Sequence, residues 1–288
     1  MFVVTGASGK LGRLAVQHLI ERVDASRVVA LTRTPEKIAD LGVRVRAADF
    51  GDPDSLVSAF DGAERVLIIS TDAMGQRVQQ HTNAINAAAK AGVGHVLYTS
   101  LTRADEPGNP LVLVPEHRET ERVLAQSGLE FTVLRNNIYP DMLLMLAPLN
   151  EAVRTGVLEG ANGEGHVSYI TRSDCAAAAA AVLAEGGHTG QFLEITGPEA
   201  VDYAGIAAAL GEATGRAVRF EKQTKEEAAA AFAARGVEPA MIAAATQFWG
   251  SVSEGWLDVT THAVERLTGR RPASLAEFFA ARREALLG

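Results

Sequence analysis

The sequence predicts an α/β protein in which a Rossmann-type, doubly wound parallel sheet carries a smaller, mostly helical C-terminal domain. Three observations predict this class. Short β-branched runs alternate with amphipathic segments through the first half of the chain. A glycine-spaced turn joins the first run to the first amphipathic segment. Several runs, such as VLIIS, are continuously apolar, which is typical of parallel strands buried on both faces.

The alternation begins at FVVT and ends at EFTVLR, near Arg135. Between them lie VVALT, VRVRAAD, VLIIS and HVLYTS, each followed by a segment with helical periodicity. Right-handed crossovers place such helices on both faces of one sheet. Beyond RNNIYPD the pattern loosens. We therefore expect a first domain over residues 1–150, with later segments near 165–198 contributing to it, and a smaller domain over residues 151–288.

Two local features are predicted within this frame. The Pro- and Gly-rich stretch TRADEPGNPLVLVP is the best candidate for a loop or lid. Ser173 or Asp174 is expected to cap the alanine-rich helix that follows, by accepting a backbone N–H.

Composition excludes several classes of function. The net charge is −8 and no run of Lys or Arg occurs, so the chain offers no basic track to a nucleic acid. A single cysteine cannot form an internal disulfide, which suits a reducing compartment. The chain opens on a strand rather than a leader, and no stretch of about 18 apolar residues occurs. We expect a cytoplasmic protein with no membrane span.

The opening stretch VVTGASGKLG places Gly6, Gly9 and Gly12 three residues apart, between a strand and a helix. This is a variant of the dinucleotide-binding fingerprint. Gly6 permits the tight turn, Gly9 lets backbone N–H groups approach a pyrophosphate, and Gly12 lets the helix lie close to the sheet. An ordinary tight turn is the alternative, which the position at the first strand–helix junction disfavours. The expected backbone donors are Ala7, Ser8, Lys10 and Leu11.

The end of the second strand indicates which dinucleotide binds. Enzymes that use NAD hold Asp or Glu there against the ribose 2′-hydroxyl, but this chain has Arg33. A guanidinium cannot accept that hydroxyl's hydrogen, whereas its charge and fork geometry match a 2′-phosphate. Arg33 therefore predicts a preference for NADPH, unless it is simply a solvated residue at a strand end.

The next two strands end in candidate cofactor contacts. Asp49 and Phe50 close the third strand and are expected to flank the adenine, although Asp49 would equally suit a turn cap. Ile69, Ser70 and Thr71 end the fourth strand, at the edge of the sheet where ligands bind in open α/β folds. They are candidates for the ribose and pyrophosphate. Core packing of Ile69 and turn chemistry of the two hydroxyls are the alternatives.

The catalytic pair common on this scaffold, a Tyr with a Lys four residues later, is absent. None of Tyr98, Tyr139, Tyr169 and Tyr203 has a lysine at that position. The alkoxide formed from a ketone has a conjugate acid with a pKa of about 16, so it needs a proton in the transition state. A phenolate-like product has a conjugate acid with a pKa of about 10, so solvent can protonate it after the hydride transfer. Quinones and delocalised cationic dyes therefore fit as acceptors, whereas simple ketones do not.

Candidate catalytic residues come from two segments. His117 and Glu121, four residues apart on one helix face, are predicted to orient a ring or relay a proton, unless the helix merely exposes them. Asn137 and Tyr139, in RNNIYPDMLLML, are predicted to bracket the nicotinamide or the acceptor, with Met142 as a wall. Core packing is the alternative for this second group. No third ligand lies near His117, so we expect no metal site.

These motifs, in this order, resemble the NmrA-like atypical short-chain dehydrogenases, in the branch of NAD(P)H:quinone oxidoreductase type 2 and triphenylmethane reductase. The resemblance runs from TGASGKLG through LTR, ADFGD, VLIISTDAMGQR, YTSL and EHRETERVLAQSGLEFTVLRNNIY to LTGRRPASLAEFF. It implies an NADPH-binding Rossmann domain, a small substrate domain and direct hydride transfer without flavin. The cofactor contacts that it implies are Gly6 to Gly12, Arg33, Ser70, Thr71, Ile138, Asp141, Met142 and the segment around Asp174 and Cys175.

This sequence departs from the family pattern at one position of the acceptor pocket, because related members have Gly where Asn137 stands. The leading expectation is an NADPH-dependent oxidoreductase that passes hydride to a quinone or similar flat electrophile, working as a monomer or homodimer. The alternative is an NADP-binding redox sensor without turnover, which would suit the missing catalytic pair equally well. A sugar-nucleotide epimerase is disfavoured by the same absence.

Overall fold

The computed structural model describes residues 1–161 and 163–288. Its strands are β1 (Phe2–Val4), β2 (Val28–Thr32), β3 (Arg44–Ala47), β4 (Arg65–Ile68), β5 (His95–Leu101), β6 (Glu130–Asn136), β7 (Val157–Gly160), β8 (Gln191–Ile195) and β9 (Arg219–Lys222). Its α-helices are α1 (Lys10–Ile20), α2 (Pro53–Phe60), α3 (Arg77–Lys90), α4 (Val114–Ala125), α5 (Asp141–Leu146), α6 (Leu149–Thr155), α7 (Arg172–Glu185), α8 (Tyr203–Thr214), α9 (Lys225–Ala234), α10 (Pro239–Ser253), α11 (Ala263–Thr268), α12 (Leu275–Ala280) and α13 (Arg283–Leu287).

One parallel sheet organises the described residues, in the strand order β3-β2-β1-β4-β5-β6-β8. The chain moves outward from β1 to β3 and then returns to the other side of β1 with β4. The two halves therefore diverge between β1 and β4, the switch point where ligands bind in such sheets. The predicted fold class is confirmed. The edge strand β8 follows more than fifty residues after β6 and was not part of the predicted alternation. Strands β7 and β9 form a separate parallel pair.

Helices cover both faces of the sheet because its strands are apolar on both sides. In β1, Phe2 and Val4 belong to a core cluster with residues of α1 and α7, whereas Val3 belongs to a second cluster with residues of α2 and α3. This alternation along one strand is what a period of two residues imposes on a sheet with two buried faces.

Helix α7 is the alanine-rich helix, and its side chains from Asp174 to Leu183 are all buried. A helix that is apolar all round must be enclosed, and its small side chains allow α1 to pack closely against it. The cap predicted for this helix was wrong. Thr171, rather than Ser173 or Asp174, is the N-cap, and its hydroxyl accepts the N–H of Asp174 at 3.1 Å.

The carboxylate of Asp174 joins α7 to the C-terminal segment. It accepts hydrogen bonds from the Thr171 hydroxyl at 2.7 Å, from Arg270 at 2.7 Å and from the backbone N–H of Ala273 at 3.0 Å. These bonds satisfy a carboxylate that is almost fully buried. They leave Asp174 a structural role, at the place where the resemblance implied a cofactor contact.

The C-terminal helices surround a further core cluster that includes residues of α6, α8 and α12. This cluster meets the sheet at its carboxyl edge, where Asn137 after β6 donates to the carbonyl of Leu257 at 3.1 Å. The boundary near residue 150 between two domains stays a prediction. Within the described residues, no helix combines the length and apolarity that a membrane crossing requires.

Candidate active site

The glycine-rich turn between β1 and α1 has the geometry that its spacing predicts. Gly6 has a φ of +61°, in the left-handed region that favours glycine. A Cβ on Gly12 would lie 2.3 Å from the carbonyl oxygen of Gly6, so only glycine allows α1 to approach the turn this closely. Gly9 caps α1 at an ordinary φ of −80°. Its side-chain position meets only the carbonyl of Gly6, at 3.2 Å, and otherwise faces open space.

The backbone donors of the turn differ in one respect from those expected. The N–H of Ala7 bonds to the carbonyl of Leu31 at 3.0 Å, so the prediction that it donates to a phosphate was wrong. The N–H groups of Lys10 to Gly12 form the first turn of α1, where no helical acceptor exists. The hydroxyl of Ser8 accepts from Thr32 at 2.8 Å. Free donors and an uncovered glycine therefore make a cradle that a pyrophosphate fits.

The residues predicted to hold the adenosine follow β2 and β3, at the same carboxyl edge of the sheet as this cradle. Arg33 directly follows β2 and its side chain is exposed. Asp49 accepts the N–H of Gly51 at 2.8 Å, which is the turn-capping alternative. Phe50 is largely buried among residues of α2 and α3. Contact of Asp49 and Phe50 with adenine stays a prediction.

At the end of β4, side chains from three other elements hold the backbone. The N–H groups of Ile69, Ser70 and Thr71 donate to the side chains of Thr5, Thr99 and His81, at 2.9, 3.0 and 3.0 Å. The amides of this segment are thereby satisfied within the protein. The hydroxyl of Thr71 is different, since it is buried without a hydrogen-bond partner. It is available to a bound ligand, as the prediction for Thr71 requires.

A chain of hydrogen bonds connects α3, β5 and α4 behind this segment. His81 Nδ1 lies 3.0 Å from the Thr120 hydroxyl, and that hydroxyl donates to the carbonyl of Glu116. The Tyr98 hydroxyl lies 2.8 Å from Nδ1 of His117. Nε2 of His117 lies 3.4 Å from the guanidinium of Arg77. The predicted catalytic residue His117 is therefore the end of a buried network rather than an exposed side chain.

Burial determines the charge of this network. It lowers the pKa of His81 to about 3, with a smaller effect of the nearby Arg77 cation. Burial, together with Arg77 and His81, holds the pKa of His117 well below its ordinary value. Burial also raises the pKa of the Tyr98 hydroxyl. Both histidines are neutral at physiological pH, which argues against the predicted role of His117 as a proton relay.

Glu121, the second residue of the predicted pair, faces a different partner. Its carboxylate forms two hydrogen bonds with Arg135, at 3.0 and 2.7 Å, and accepts a third from Ser100 at 2.6 Å. Burial alone would lower the pKa of Arg135, but its hydrogen bonds and charge interaction with Glu121 raise it. Glu121 therefore belongs to a buried ion pair that fixes α4 against β5 and β6.

The turn after β6 contains the other predicted catalytic residues. The side chain of Asn137 is 2% exposed, donates to the carbonyl of Leu257 and accepts the N–H of Ile138 at 2.7 Å. These bonds anchor the turn, and contact of Asn137 with the acceptor stays a prediction. The Tyr139 hydroxyl accepts from Asn136 at 3.2 Å, and burial raises its pKa.

The remaining predicted contacts separate into two groups. Ile138 and Met142 line the open cavity described below. Asp141 forms an ion pair with Arg172 at 2.6 Å, and Cys175 is buried in the core with a thiol pKa that burial raises. Their roles toward the cofactor stay predictions.

A cavity of about 330 Å³ opens at the carboxyl ends of β4, β5 and β6. Most of its wall is apolar and comes from the segment before α4, from α5 and from α10. Its ionisable lining residues are Arg77, His117 and Tyr139. The complete lining consists of Ser70, Arg77, Thr99, Ser100, Leu101, Leu111, Val112, Leu113, His117, Asn136, Asn137, Ile138, Tyr139, Met142, Leu146, Met241, Ala244, Ala245, Gln247 and Phe248.

Sequence reasoning missed Arg77, His81 and Tyr98 as site residues. A signal for the first two exists in the sequence, because Arg77 and His81 lie one helical turn apart on the stripe of α3 that continues through Ala84 and Ala88. Polar residues on the apolar stripe of a helix are buried, and buried polar residues need partners. Among the described residues, no group of three or more His, Cys, Asp or Glu side chains is placed to hold a metal ion.

These features define a class: a Rossmann-type protein with a dinucleotide cradle at the switch point and a neighbouring cavity for a second, apolar ligand. A model of the NAD(P)H-binding family matches residues 6–186. Quinone oxidoreductase 2 of Escherichia coli strain K12 is 40% identical over 280 residues, 96% of each chain. The NAD(P)H azoreductase of Xenophilus azovorans is 32% identical over 283 residues, again 96% of each.

Comparison with solved structures indicates the same relatives. The Escherichia coli NADPH-dependent quinone oxidoreductase, complexed with NADPH, has a TM-score of 0.90 and 38% identity, with 98% of this chain and 99% of that chain covered. Triphenylmethane reductase of Citrobacter sp., complexed with NADP(H), has a TM-score of 0.89 and 31% identity, with 98% and 100% covered. The chain belongs to the NAD(P)H-binding family, in the NmrA-like branch of these two reductases. It is an NAD(P)H-dependent oxidoreductase.

The cradle predicts a contrast between two glycines. Gly9→Val is expected to abolish NADPH binding while lowering the unfolding temperature only slightly, because its Cβ would lie 3.2 Å from the carbonyl of Gly6 and its methyl groups would enter the space for the pyrophosphate. Gly12→Val, the matched comparison, is expected to lower the unfolding temperature as well, because its Cβ would overlap the carbonyl of Gly6. Fluorescence titration and thermal unfolding measure the two effects. Full NADPH affinity in the Gly9 variant would contradict the placement of the cofactor.

Arg33 predicts the choice of dinucleotide. Arg33→Ala is expected to weaken NADPH binding by about tenfold to a hundredfold, the value of a charged hydrogen bond, and NADH binding little. Isothermal titration with each nucleotide measures this. Lys90→Ala removes an exposed charge at the end of α3 and is expected to change neither affinity. Equal losses of NADPH and NADH affinity in the Arg33 variant would remove the argument for a 2′-phosphate contact.

The buried histidines predict a pH-dependent stability. The unfolded chain takes up a proton at each histidine near pH 6.5, whereas folded His81 does so only near pH 3. Stability is thus complete above pH 6.5 and falls as the pH decreases, by about 1.4 kcal/mol per pH unit for each such histidine. Urea unfolding between pH 7.5 and 5 measures the slope. His117→Phe is expected to reduce it.

Proposed function

We propose that the protein reduces quinones, or similar flat electrophiles, by direct hydride transfer without flavin or metal. The observation that carries this proposal is the character of the cavity. It is apolar over most of its surface and lies beside the dinucleotide cradle at the carboxyl edge of the sheet. Its volume of about 330 Å³ is at the lower end of the range typical of small-molecule sites and suits one or two fused rings.

The ionisable groups of the cavity support an acceptor that needs no general acid. Bound NADPH supplies a hydride, that is, two electrons and one proton. The Tyr139 hydroxyl has a raised pKa because it is buried, and His117 is neutral for the same reason. Neither is matched to protonate an alkoxide during the reaction. A hydroquinone anion, whose conjugate acid has a pKa of about 10, can leave the site and be protonated by solvent.

The names of the relatives support the same class of acceptor. Quinones, azo compounds and triphenylmethane dyes are all conjugated molecules that can delocalise an added electron pair. The three relatives cover nearly the whole of this chain, including the segments that line the cavity. The choice of a quinone over the other two classes rests on the guanidinium of Arg77, a hydrogen-bond donor in the cavity that suits an acceptor with a carbonyl oxygen.

Steady-state oxidation of NADPH in the presence of 1,4-benzoquinone tests the proposal. We expect one NADPH consumed for each quinone reduced, with no added flavin and with no consumption when cyclohexanone replaces the quinone. Gly9→Val protein controls for reduction outside the site. A redox sensor would bind NADPH without quinone-dependent consumption, and that result, or equal rates with the ketone, would contradict the proposal.

A further inference from the structure

The buried guanidinium of Arg77 lacks a counter-charge. The residue is 5% exposed, its Nε has no hydrogen-bond partner, and within residues 1–161 and 163–288 no acidic side chain forms an ion pair with it. A buried, unpaired cation normally destabilises a fold by several kcal/mol. Arg77 is also the first residue of α3, where the helix dipole is positive and disfavours a second positive charge. Both costs would be offset by an anion in the cavity.

The hydrogen-bond chain is compatible with two neutral tautomers of His117. The backbone N–H of Thr71 donates to Nε2 of His81, so the hydrogen of neutral His81 is on Nδ1 and points to Thr120. The Tyr98 hydroxyl lies 3.4 Å from this donor and 2.8 Å from Nδ1 of His117. With the hydrogen on Nδ1, His117 donates to the Tyr98 hydroxyl, and its Nε2 accepts from Arg77. With the hydrogen on Nε2, Nδ1 accepts from the Tyr98 hydroxyl, and the Nε2–H faces the cavity beside Arg77.

In the Nε2–H tautomer, two donors meet in the cavity without an acceptor between them. The Nε2–H of His117 and the guanidinium of Arg77 are 3.4 Å apart, and both residues line the cavity. Neither group can accept a hydrogen bond from the other in this tautomer. Preorganised donors of this kind, in a site of low polarity, stabilise negative charge that develops on an oxygen atom.

We propose that Arg77 and His117 together bind the acceptor oxygen on which negative charge develops during reduction, with Tyr98 as the positioning residue that fixes the His117 tautomer. The proposal rests on the proposed function. Hydride transfer breaks a C–H bond of NADPH, which is oxidised to NADP⁺, and forms one O–H bond on the quinone. The quinone gains two electrons, so its other oxygen carries the negative charge of a hydroquinone monoanion. Its charged oxygen lies against the two donors until a proton from solvent completes the hydroquinone.

A phenol whose ionisation is visible reports on this site without turnover. The probe is 4-nitrophenol, bound to the protein in the presence of NADP⁺ and titrated by absorbance. Wild-type protein is expected to bind the phenolate and to lower the pKa of the probe below its value in free solution. Arg77→Leu and His117→Phe are expected to abolish most of that shift, Arg77→Lys to retain part of it, and Tyr98→Phe to reduce it. Arg122→Gln, which removes an exposed charge from α4, is the control and is expected to match wild type.

Kinetics and stability of Arg77→Leu give independent readouts. We expect kcat/KM for 1,4-benzoquinone to fall by about tenfold to a hundredfold, with the dissociation constant of NADPH unchanged within about twofold. The thermal unfolding midpoint is expected to rise, because leucine removes an unpaired buried charge. A purely structural role for Arg77 would instead lower it.

Several results would overturn the proposal. A loss of NADPH affinity equal to the loss of quinone reduction would assign Arg77 to the cofactor. Failure of wild-type protein to bind 4-nitrophenol, or an unchanged probe pKa, would exclude a phenolate site. A nitrogen NMR spectrum that places the hydrogen of His117 on Nδ1 would remove the second donor. If the probe results hold and NADPH is not oxidised by quinones, the proposed function fails and the oxyanion site stands.

Discussion

The carboxyl edge of a parallel sheet leaves backbone N–H groups without ladder partners, and the way this protein satisfies them determines where ligands can bind. After β4, the side chains of Thr5, Thr99 and His81 accept them, so the amides of that segment are not free to bind a phosphate. At the start of α1 the donors stay free, and Gly12 brings them close to the sheet. Free backbone donors therefore lie at the start of α1, and the cavity opens at the carboxyl ends of β4, β5 and β6.

The local electrostatics of the cavity oppose the charge of the whole molecule. The protein carries a net charge of −8, yet its cavity contains the unpaired cation of Arg77. One helical turn of α4 separates two environments. Glu121 is neutralised by Arg135, so its charge is not available to repel an anionic product, whereas His117 stays neutral. Burial, which strengthens each of these interactions, makes the cavity a site for developing negative charge inside an acidic protein.

Much of this arrangement follows from sequence, because each predicted feature depends on local geometry. The spacing that ends at Gly12 and the position of Arg33 after a strand require only one strand–helix unit to interpret. The prediction for the Ala7 amide was wrong because its acceptor, on a neighbouring strand, is a tertiary contact. Arg77 and His81 were missed for a related reason. Their position on the apolar stripe of α3 predicts burial but not a partner, because the packed helix α4 lies more than thirty residues beyond His81.

The wall of the cavity contains two methionines, Met142 on α5 and Met241 on α10. Unbranched thioether side chains change rotamer easily and adapt to surfaces of different outline. A wall of this composition selects poorly by shape. Discrimination among candidate molecules would then depend on how readily each takes up an electron pair, so their relative rates should follow reduction potential more closely than ring size.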